Sequence, residues 1–251
     1  MKNILIIGAN GFTGRRILND LSVNPIYHVT GCSLRDDICP GKDYRFVRTD
    51  IRDENEVRKL FKECRPDIVI NTSALSVPDY CETHHAEAEA TNVTAVETIA
   101  HVCEQYGSRF IHLSTDFVFD GKSTRLYKEE DEAIPVNYYG VTKLKAEKII
   151  ASICSNYAIV RVVVVYGKAL PGQHGNILQL VANRLRNGET IRVVSDQWRT
   201  PTFVGDISVG VEKLMFHTAN GIYHICGSEC LTIAEIAYRV ADFLKLDRSL
   251  I

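Results

Sequence analysis

An α/β fold built on a doubly wound parallel sheet, with a small discontinuous C-terminal lobe, is what this sequence predicts. Three observations carry that expectation. Short runs that are apolar at nearly every position recur along the first two thirds of the chain, as in strands buried on both faces. Segments with helical spacing of apolar residues lie between those runs, as parallel crossovers require. The first run leads directly into a glycine-rich turn, Gly8-Ala9-Asn10-Gly11-Phe12-Thr13-Gly14, that opens the first helical segment.

In chain order, the expected strands are Asn3–Ile7, Tyr27–Ser33, Tyr44–Val47, Ile68–Asn71, Phe110–Ser114 and Ala158–Val165. The intervening helices are expected over Thr13–Leu21, Glu54–Glu63, Glu87–Tyr106 and Tyr138–Ser155. Pro66-Asp67 punctuates the chain before the fourth strand. The rhythm changes after Gly167. A helix over Asn176–Arg186 places Ile177, Leu180, Val181 and Leu185 on one face. A short strand at Thr190–Val194 and a loop at Ser195–Thr202 follow, then a helix over Val204–Phe216 and a strand at Ile222–Cys226. Thr232, with Glu235 three residues on, reads as a capping box that starts a last helix. The expected division is a dinucleotide-binding Rossmann core of residues 1–167 plus about 203–225, with a lobe of about 168–202 and 226–251.

Composition narrows the partners. The chain has 251 residues, 45% hydrophobic and 24% charged, with 29 basic against 31 acidic residues, hence a net charge of −2. A near-balanced charge offers no electrostatic reason to expect nucleic acid or a membrane surface. No stretch approaches the ~20 apolar residues that span a bilayer. Met1-Lys2 runs straight into Ile4-Leu5-Ile6-Ile7, too short for a signal peptide, so a cytoplasmic location is expected. The eight cysteines contain no CxxC and are expected to be reduced thiols. His224, Cys226 and Cys230 read as a strand and a turn, and no metal is expected.

The glycine turn suits a phosphate. Gly8 allows a sharp bend, Gly11 admits a pyrophosphate to the backbone, and Gly14 permits close helix–strand packing. The helix N-terminus supplies free N–H groups and a positive dipole end. The spacing is GxxGxxG, and Asn10 lies within it. At the end of the second strand, Ser33 stands where an acid would bind a ribose 2′-hydroxyl. Arg35 follows, and Arg15 and Arg16 flank the turn. NADP(H) is therefore favoured, while Asp36 and Asp37 keep NAD(H) open should the strand boundary shift by two residues.

A second constellation follows a strand ending in Ser114-Thr115-Asp116. Tyr139-Gly140-Val141-Thr142-Lys143 is a YxxxK on a predicted helix, and its i, i+4 spacing puts both side chains on one face. A nearby ammonium would lower the phenol's pKa and fit Tyr139 for proton transfer. Thr115 lies 24 residues earlier, at the carboxyl edge of the sheet, where open α/β folds bind ligands. Its hydroxyl can hold a substrate oxygen.

Taken together, GANGFTG (Gly8–Gly14), NTSALSVPDYCE (Asn71–Glu82), STDFVFDG (Ser114–Gly121), PVNYYGVTK (Pro135–Lys143) and DQWRTPTFVGDI (Asp196–Ile207) resemble the extended short-chain dehydrogenase/reductases, and among them the dTDP-4-dehydrorhamnose reductase family. The resemblance covers nearly the whole chain. It implies hydride transfer from a nicotinamide to C4 of a 4-keto nucleotide sugar, with Thr115, Tyr139 and Lys143 catalytic. It implies Asp50 and Ile51 along the adenine, and Ser73, Ala74 and Leu75 beside the cofactor. Asp116, Phe117 and Gln197 would lie near the sugar nucleotide, with the small lobe binding substrate. A homodimer through Glu87–Tyr106 and Tyr138–Ser155 is one arrangement that related folds use.

Three positions depart from the family pattern. Phe117 replaces a common Tyr, Arg161-Val162-Val163-Val164-Val165-Tyr166-Gly167 lacks the usual Trp, and Arg199 stands where Gly is usual. The chain also stops at Ile251, short of the few tens of residues by which the family continues, so a truncated lobe and a shortened relative are both open. Alternative readings are a nucleotide-sugar 4-epimerase, which must retain NAD, and a non-catalytic NADP-binding subunit like the regulatory subunit of methionine adenosyltransferase. A 4,6-dehydratase is disfavoured, because Phe117 occupies the position of its proton-transferring Glu.

Overall fold

The computed structural model of the chain describes residues 1–40, 43–173 and 175–251. Their strands are β1 (Lys2–Ile7), β2 (Tyr27–Ser33), β3 (Arg45–Arg48), β4 (Ile68–Asn71), β5 (Arg109–Thr115), β6 (Tyr157–Val162), β7 (Val165–Tyr166), β8 (Trp198–Arg199), β9 (Thr202–Phe203), β10 (Gly221–Ile225) and β11 (Leu231–Thr232). The helices are α1 (Phe12–Ser22), α2 (Glu54–Cys64), α3 (Pro78–Thr83), α4 (His85–Glu89), α5 (Ala95–Tyr106), α6 (Tyr138–Ile153), α7 (Ile177–Arg186), α8 (Val204–Phe216) and α9 (Ile233–Leu244). A π-helical turn, Ala90–Thr94, joins α4 to α5.

Seven strands form one sheet in the order β10-β6-β5-β4-β1-β2-β3, and every neighbouring pair is parallel. The strand order reverses direction beside β1. Such a switch point opens a crevice at the carboxyl ends of the strands, and the functional residues gather there.

The sheet is buried on both faces, as its apolar runs require. Leu5, Val69, Phe110 and Ile159 point to one face and pack with Phe61, Ile99 and Ile150 from α2, α5 and α6. Ile4, Ile6, Ile68, Ile70, Ala158 and Val160 point to the other, against Ile17 and Leu18 of α1 and Ile207, Val211 and Leu214 of α8. A third cluster, centred on Val181, Leu185, Ala237 and Ala241, joins α7 to α9 in the small lobe.

Local signals place most boundaries. Asp53 caps α2 by accepting from Asn55 N and Glu56 N. Asn176 and Gln179 form a capping box on α7, and Thr232 and Glu235 form the expected one on α9.

Two expectations are corrected. The predicted strand Ala158–Val165 stops at Val162, because Val164 turns the backbone to φ +38°. Val165 then pairs with Thr202 in a separate two-stranded ladder. Thr190–Val194 forms no strand. Its backbone is held singly, with Ile191 N donating to Leu250 O at 2.8 Å and Val194 O accepting from Ala234 N at 3.1 Å. Helix α3 was not foreseen. Pro78 lies at its start, where its missing N–H costs nothing.

Candidate active site

The glycine turn adopts the geometry that its sequence requires. Gly8 has φ +81°, a left-handed conformation open to glycine at little cost. A Cβ at Gly14 would collide with the Gly8 carbonyl. Gly11 is exposed at the N-cap of α1. No side chain caps that helix start, and its first turn carries no acid. The N–H groups of Phe12, Thr13 and Gly14 therefore face an open cradle suited to a pyrophosphate. Gln173 closes one side of the turn, donating from Nε2 to the carbonyls of Asn10 at 3.0 Å and Gly11 at 3.1 Å. No sequence pattern pointed to Gln173.

At the end of β2, an ion pair takes up two of the candidate residues. Strand β2 ends at Ser33, as expected. Asp37 is engaged by Arg15 at 2.5 Å and by the Tyr44 hydroxyl at 2.7 Å. Arg15 is buried, also donates to Asn10 Oδ1 at 2.7 Å, and so braces the turn instead of offering its charge to a phosphate. Arg16 is taken up by Asp20. The Arg35 side chain is exposed and makes no ion pair among the described residues. Asn10 Nδ2 holds the Arg35 and Asp36 carbonyls at 3.2 and 2.9 Å, fixing that loop over the turn. Thr49 N donates to Ser33 O, which sets Asp50 and buried Ile51 beside the end of β2. Asp50 itself is clamped by Arg52.

Ser73, Ala74 and Leu75 follow β4 beside the glycine turn. Thr72 Oγ1 donates to Ile7 O at 2.9 Å. Asn92, from the π-helical turn, accepts from Leu75 N at 2.8 Å, donates to Leu75 O at 3.0 Å and donates to Thr142 Oγ1 at 3.0 Å. This clamp ties the predicted cofactor segment to α6, the helix that carries Tyr139. Asn92 is a further site residue that the sequence pattern did not single out, and π-turns often mark such places.

Thr115 ends β5 and Tyr139 begins α6, and the fold brings them together. The Thr115 hydroxyl lies beside the Tyr139 phenol, while it accepts from Phe117 N at 3.2 Å and donates to Asp116 Oδ1 at 3.3 Å. Phe117 packs edge-on against Tyr139, with ring centroids 5.9 Å apart. Burial pushes the phenol above its ordinary value, and the neighbouring Asp116 carboxylate adds to this; the nearby Thr115 hydroxyl opposes both. The expected lowering by Lys143 is absent. Among the described residues no hydrogen bond links Lys143 to Tyr139. The lysine is 1% exposed, donates to Leu113 O at 2.7 Å and lies 2.8 Å from His112 Nε2. Shared helical spacing places both side chains on one face of α6, but the carbonyls of β5 decide where the amine points.

Arg199 enters the same site. Its guanidinium pairs with Asp116 and lies over the Phe117 ring, 4.9 Å from the centroid. Burial raises the Asp116 carboxyl against the charge and hydrogen bond of Arg199. Gln197, which the sequence singled out, is exposed, and among the described residues it makes no hydrogen bond to this group; Arg199, two residues on, does. Among the described residues, no group of three His, Cys, Asp or Glu is arranged to hold a metal ion, and no helix is long and apolar enough to cross a membrane.

The parallel sheet, the open phosphate cradle and the Thr115–Tyr139 pair at its carboxyl edge define a dinucleotide-binding protein of the extended short-chain dehydrogenase/reductase class. Comparison with known proteins agrees. The chain belongs to the family described as the RmlD substrate binding domain, which matches residues 1–251. It is 30% identical over 249 residues to the probable low-salt glycan biosynthesis reductase Agl14 of Haloferax volcanii, covering 98% of this chain and 81% of that one. It is 31% identical to methionine adenosyltransferase 2 subunit beta of Xenopus laevis, covering 99% and 74%. The structure of dTDP-4-dehydrorhamnose reductase from Bacillus anthracis in complex with NADP aligns with TM-score 0.84 and 26% identity, covering 98% of this chain and 82% of that one.

Proposed function

We propose that the protein is an NAD(P)H-dependent reductase that delivers hydride to the C4 keto group of a nucleotide-linked deoxy sugar, as in dTDP-4-dehydrorhamnose reductase, with NADP(H) the preferred cofactor. The observation that carries this reading is the placement of Thr115 beside the buried Tyr139 phenol, at the sheet edge that also bears the cradle at Gly8–Gly14. Those glycines and the N–H groups of Phe12–Gly14 would hold the pyrophosphate. Ser33 and Arg35 would hold the adenosine phosphate, Asp50 and Ile51 the adenine, and Ser73, Ala74 and Leu75 the inner half. When bound, the nicotinamide supplies the hydride.

The protein's own part is positioning and proton transfer. Thr115 and Tyr139 hold the carbonyl oxygen between them. The raised pKa of Tyr139 keeps its proton in place until charge develops on that oxygen, and Tyr139 then donates it. Lys143 sits below, where a cation would stabilise the phenolate. Asp116, Phe117 and the Arg199 end of the 195–202 loop would border the sugar, which would bind between the core and the small lobe. Incubation with NADPH and a 4-keto-6-deoxy nucleotide sugar should consume the reduced cofactor; no loss of its absorbance would refute the assignment. Lys143→Ala should lower both turnover and cofactor affinity, and unchanged values for both would make the YxxxK pair structural.

Cofactor choice rests on Arg35. Arg35→Ala should weaken NADPH binding by roughly 10–100-fold, the scale of a charge-assisted hydrogen bond, and leave NADH affinity unchanged. Equal losses for both cofactors would remove Arg35 from the 2′-phosphate site.

The likeness to the methionine adenosyltransferase subunit favours one second reading, a cofactor-binding regulatory chain. NADPH binding without turnover, together with capture of a catalytic partner, would support it. The 4-epimerase reading is weaker: Ser33 ends β2, and Asp37 is already committed to Arg15 and Tyr44.

A further inference from the structure

Behind the Thr115–Tyr139 pair runs a buried polar chain that the proposed reaction does not by itself explain. Asn71, His112 and Lys143 are each within 1% of full burial. Asn71 ends β4 and His112 is its partner on β5. Asn71 Oδ1 accepts from Ser73 N at 3.0 Å and from Ser73 Oγ at 2.6 Å. A backbone N–H can only donate, so this amide cannot be turned over without setting its NH₂ against another donor. Asn71 Nδ2 must therefore face His112 Nδ1, 3.1 Å away, and donate to it. With Nδ1 accepting, a neutral imidazole carries its proton on Nε2. That proton points at Lys143 Nζ, 2.8 Å away. An ammonium has no lone pair to receive it, whereas an amine does.

We propose that His112 and Asn71 are positioning residues that favour Lys143 as an uncharged amine in the cofactor-free site, so that above its lowered midpoint Lys143 gains its proton as the cofactor binds. The inference rests on the reading that Lys143 belongs to the cofactor site. The surroundings agree with it. Burial pulls the Lys143 ammonium down to about 8, and burial keeps His112 well below its ordinary value. On α6 the other titratable groups are Tyr138, Tyr139, Lys145, Glu147 and Lys148, and of these Glu147 favours the ammonium. Its carboxylate, however, is already shared between Arg161 of β6 and Ser114 of β5. Asp116, after β5, is paired with Arg199. No free carboxylate among these groups is left to oppose the amine form.

Nitrogen-15 spectra of the cofactor-free protein test this without any substrate. The expected result is His112 protonated at Nε2 and bare at Nδ1. A proton on Nδ1 overturns the proposal, whatever the variants do. Titration of Lys143, followed at its side-chain nitrogen, should have its midpoint well below the ordinary lysine value of about 10.4. His112→Gln, whose amide can turn its oxygen to an ammonium, should make Lys143 at least tenfold harder to deprotonate. Asn71→Asp should shift the histidine proton to Nδ1. An unmoved Lys143 midpoint in His112→Gln refutes the link. Because binding must then supply one proton, NADPH affinity in the wild type should fall about tenfold per pH unit above that midpoint. In His112→Gln the fall should begin at least one unit higher, and an identical profile would refute the coupling. These readings hold or fail even if no sugar is reduced, so they stand apart from the test of the reductase assignment.

Discussion

Tyr139→Phe should lower turnover by roughly 10²–10⁴, the scale of a positioned general acid, with NADPH affinity little changed. Among the described residues the phenol is the group beside Thr115 placed to give up a proton; Phe117 cannot, and Asp116 is held by Arg199. The phenyl ring would keep the packing against Phe117 and Leu75, so the fold should survive. Steady-state kinetics with a 4-keto nucleotide sugar, alongside a cofactor titration, separates the two quantities. An unchanged rate would take Tyr139 out of the reaction. A matched loss in cofactor affinity would mean that the hydroxyl serves binding instead of proton transfer.

The largest effect on stability is expected about two helical turns further along α6, at Glu147. Its carboxylate accepts from Arg161 Nη2 at 2.7 Å, from Arg161 Nε at 3.0 Å and from Ser114 Oγ at 2.5 Å, and the Glu147 and Arg161 side chains are each 3% exposed. Arg161 also lies over the Phe119 ring at 4.9 Å. Glu147→Ala strands a buried guanidinium, which should destabilise the fold by about 3–5 kcal/mol. Replacing both partners by methionine should recover most of that loss, since an apolar pair of similar volume leaves no charge unpaired. Urea unfolding of the two variants and the wild type measures both quantities. If Glu147→Ala cost less than about 1 kcal/mol, water would have to reach Arg161, and the pair would not be a buried one.

Much of the architecture was legible because its cause is local. Ile4–Ile7, Ile68–Ile70 and Phe110–Leu113 carry no polar alternation apart from His112, and such runs are at home only in a sheet covered on both faces. Gly8 and Gly14 announce a bend tighter than a side chain allows. Thr232 and Glu235 mark a helix start by their spacing alone. Where the expectations failed, a partner distant in sequence decided the outcome. Val164 breaks the strand that Val162–Val165 suggested, and Thr202 captures the remainder. Arg15 reads as a phosphate ligand until Asp37, 22 residues away, is seen to hold it.

Of this protein the sequence alone determined the parallel sheet, the glycine turn and the choice of Thr115, Tyr139 and Lys143 as candidates, because periodicity, glycine placement and i, i+4 spacing are properties of a short stretch of chain. The tertiary structure alone decided that Arg199 rather than Gln197 meets Asp116, that Asn92 locks Leu75 to α6, and that Lys143 turns to His112 instead of Tyr139. Each of these depends on which donors and acceptors meet across strands and loops tens of residues apart. In a buried site a polar group must take whatever partner the packing offers.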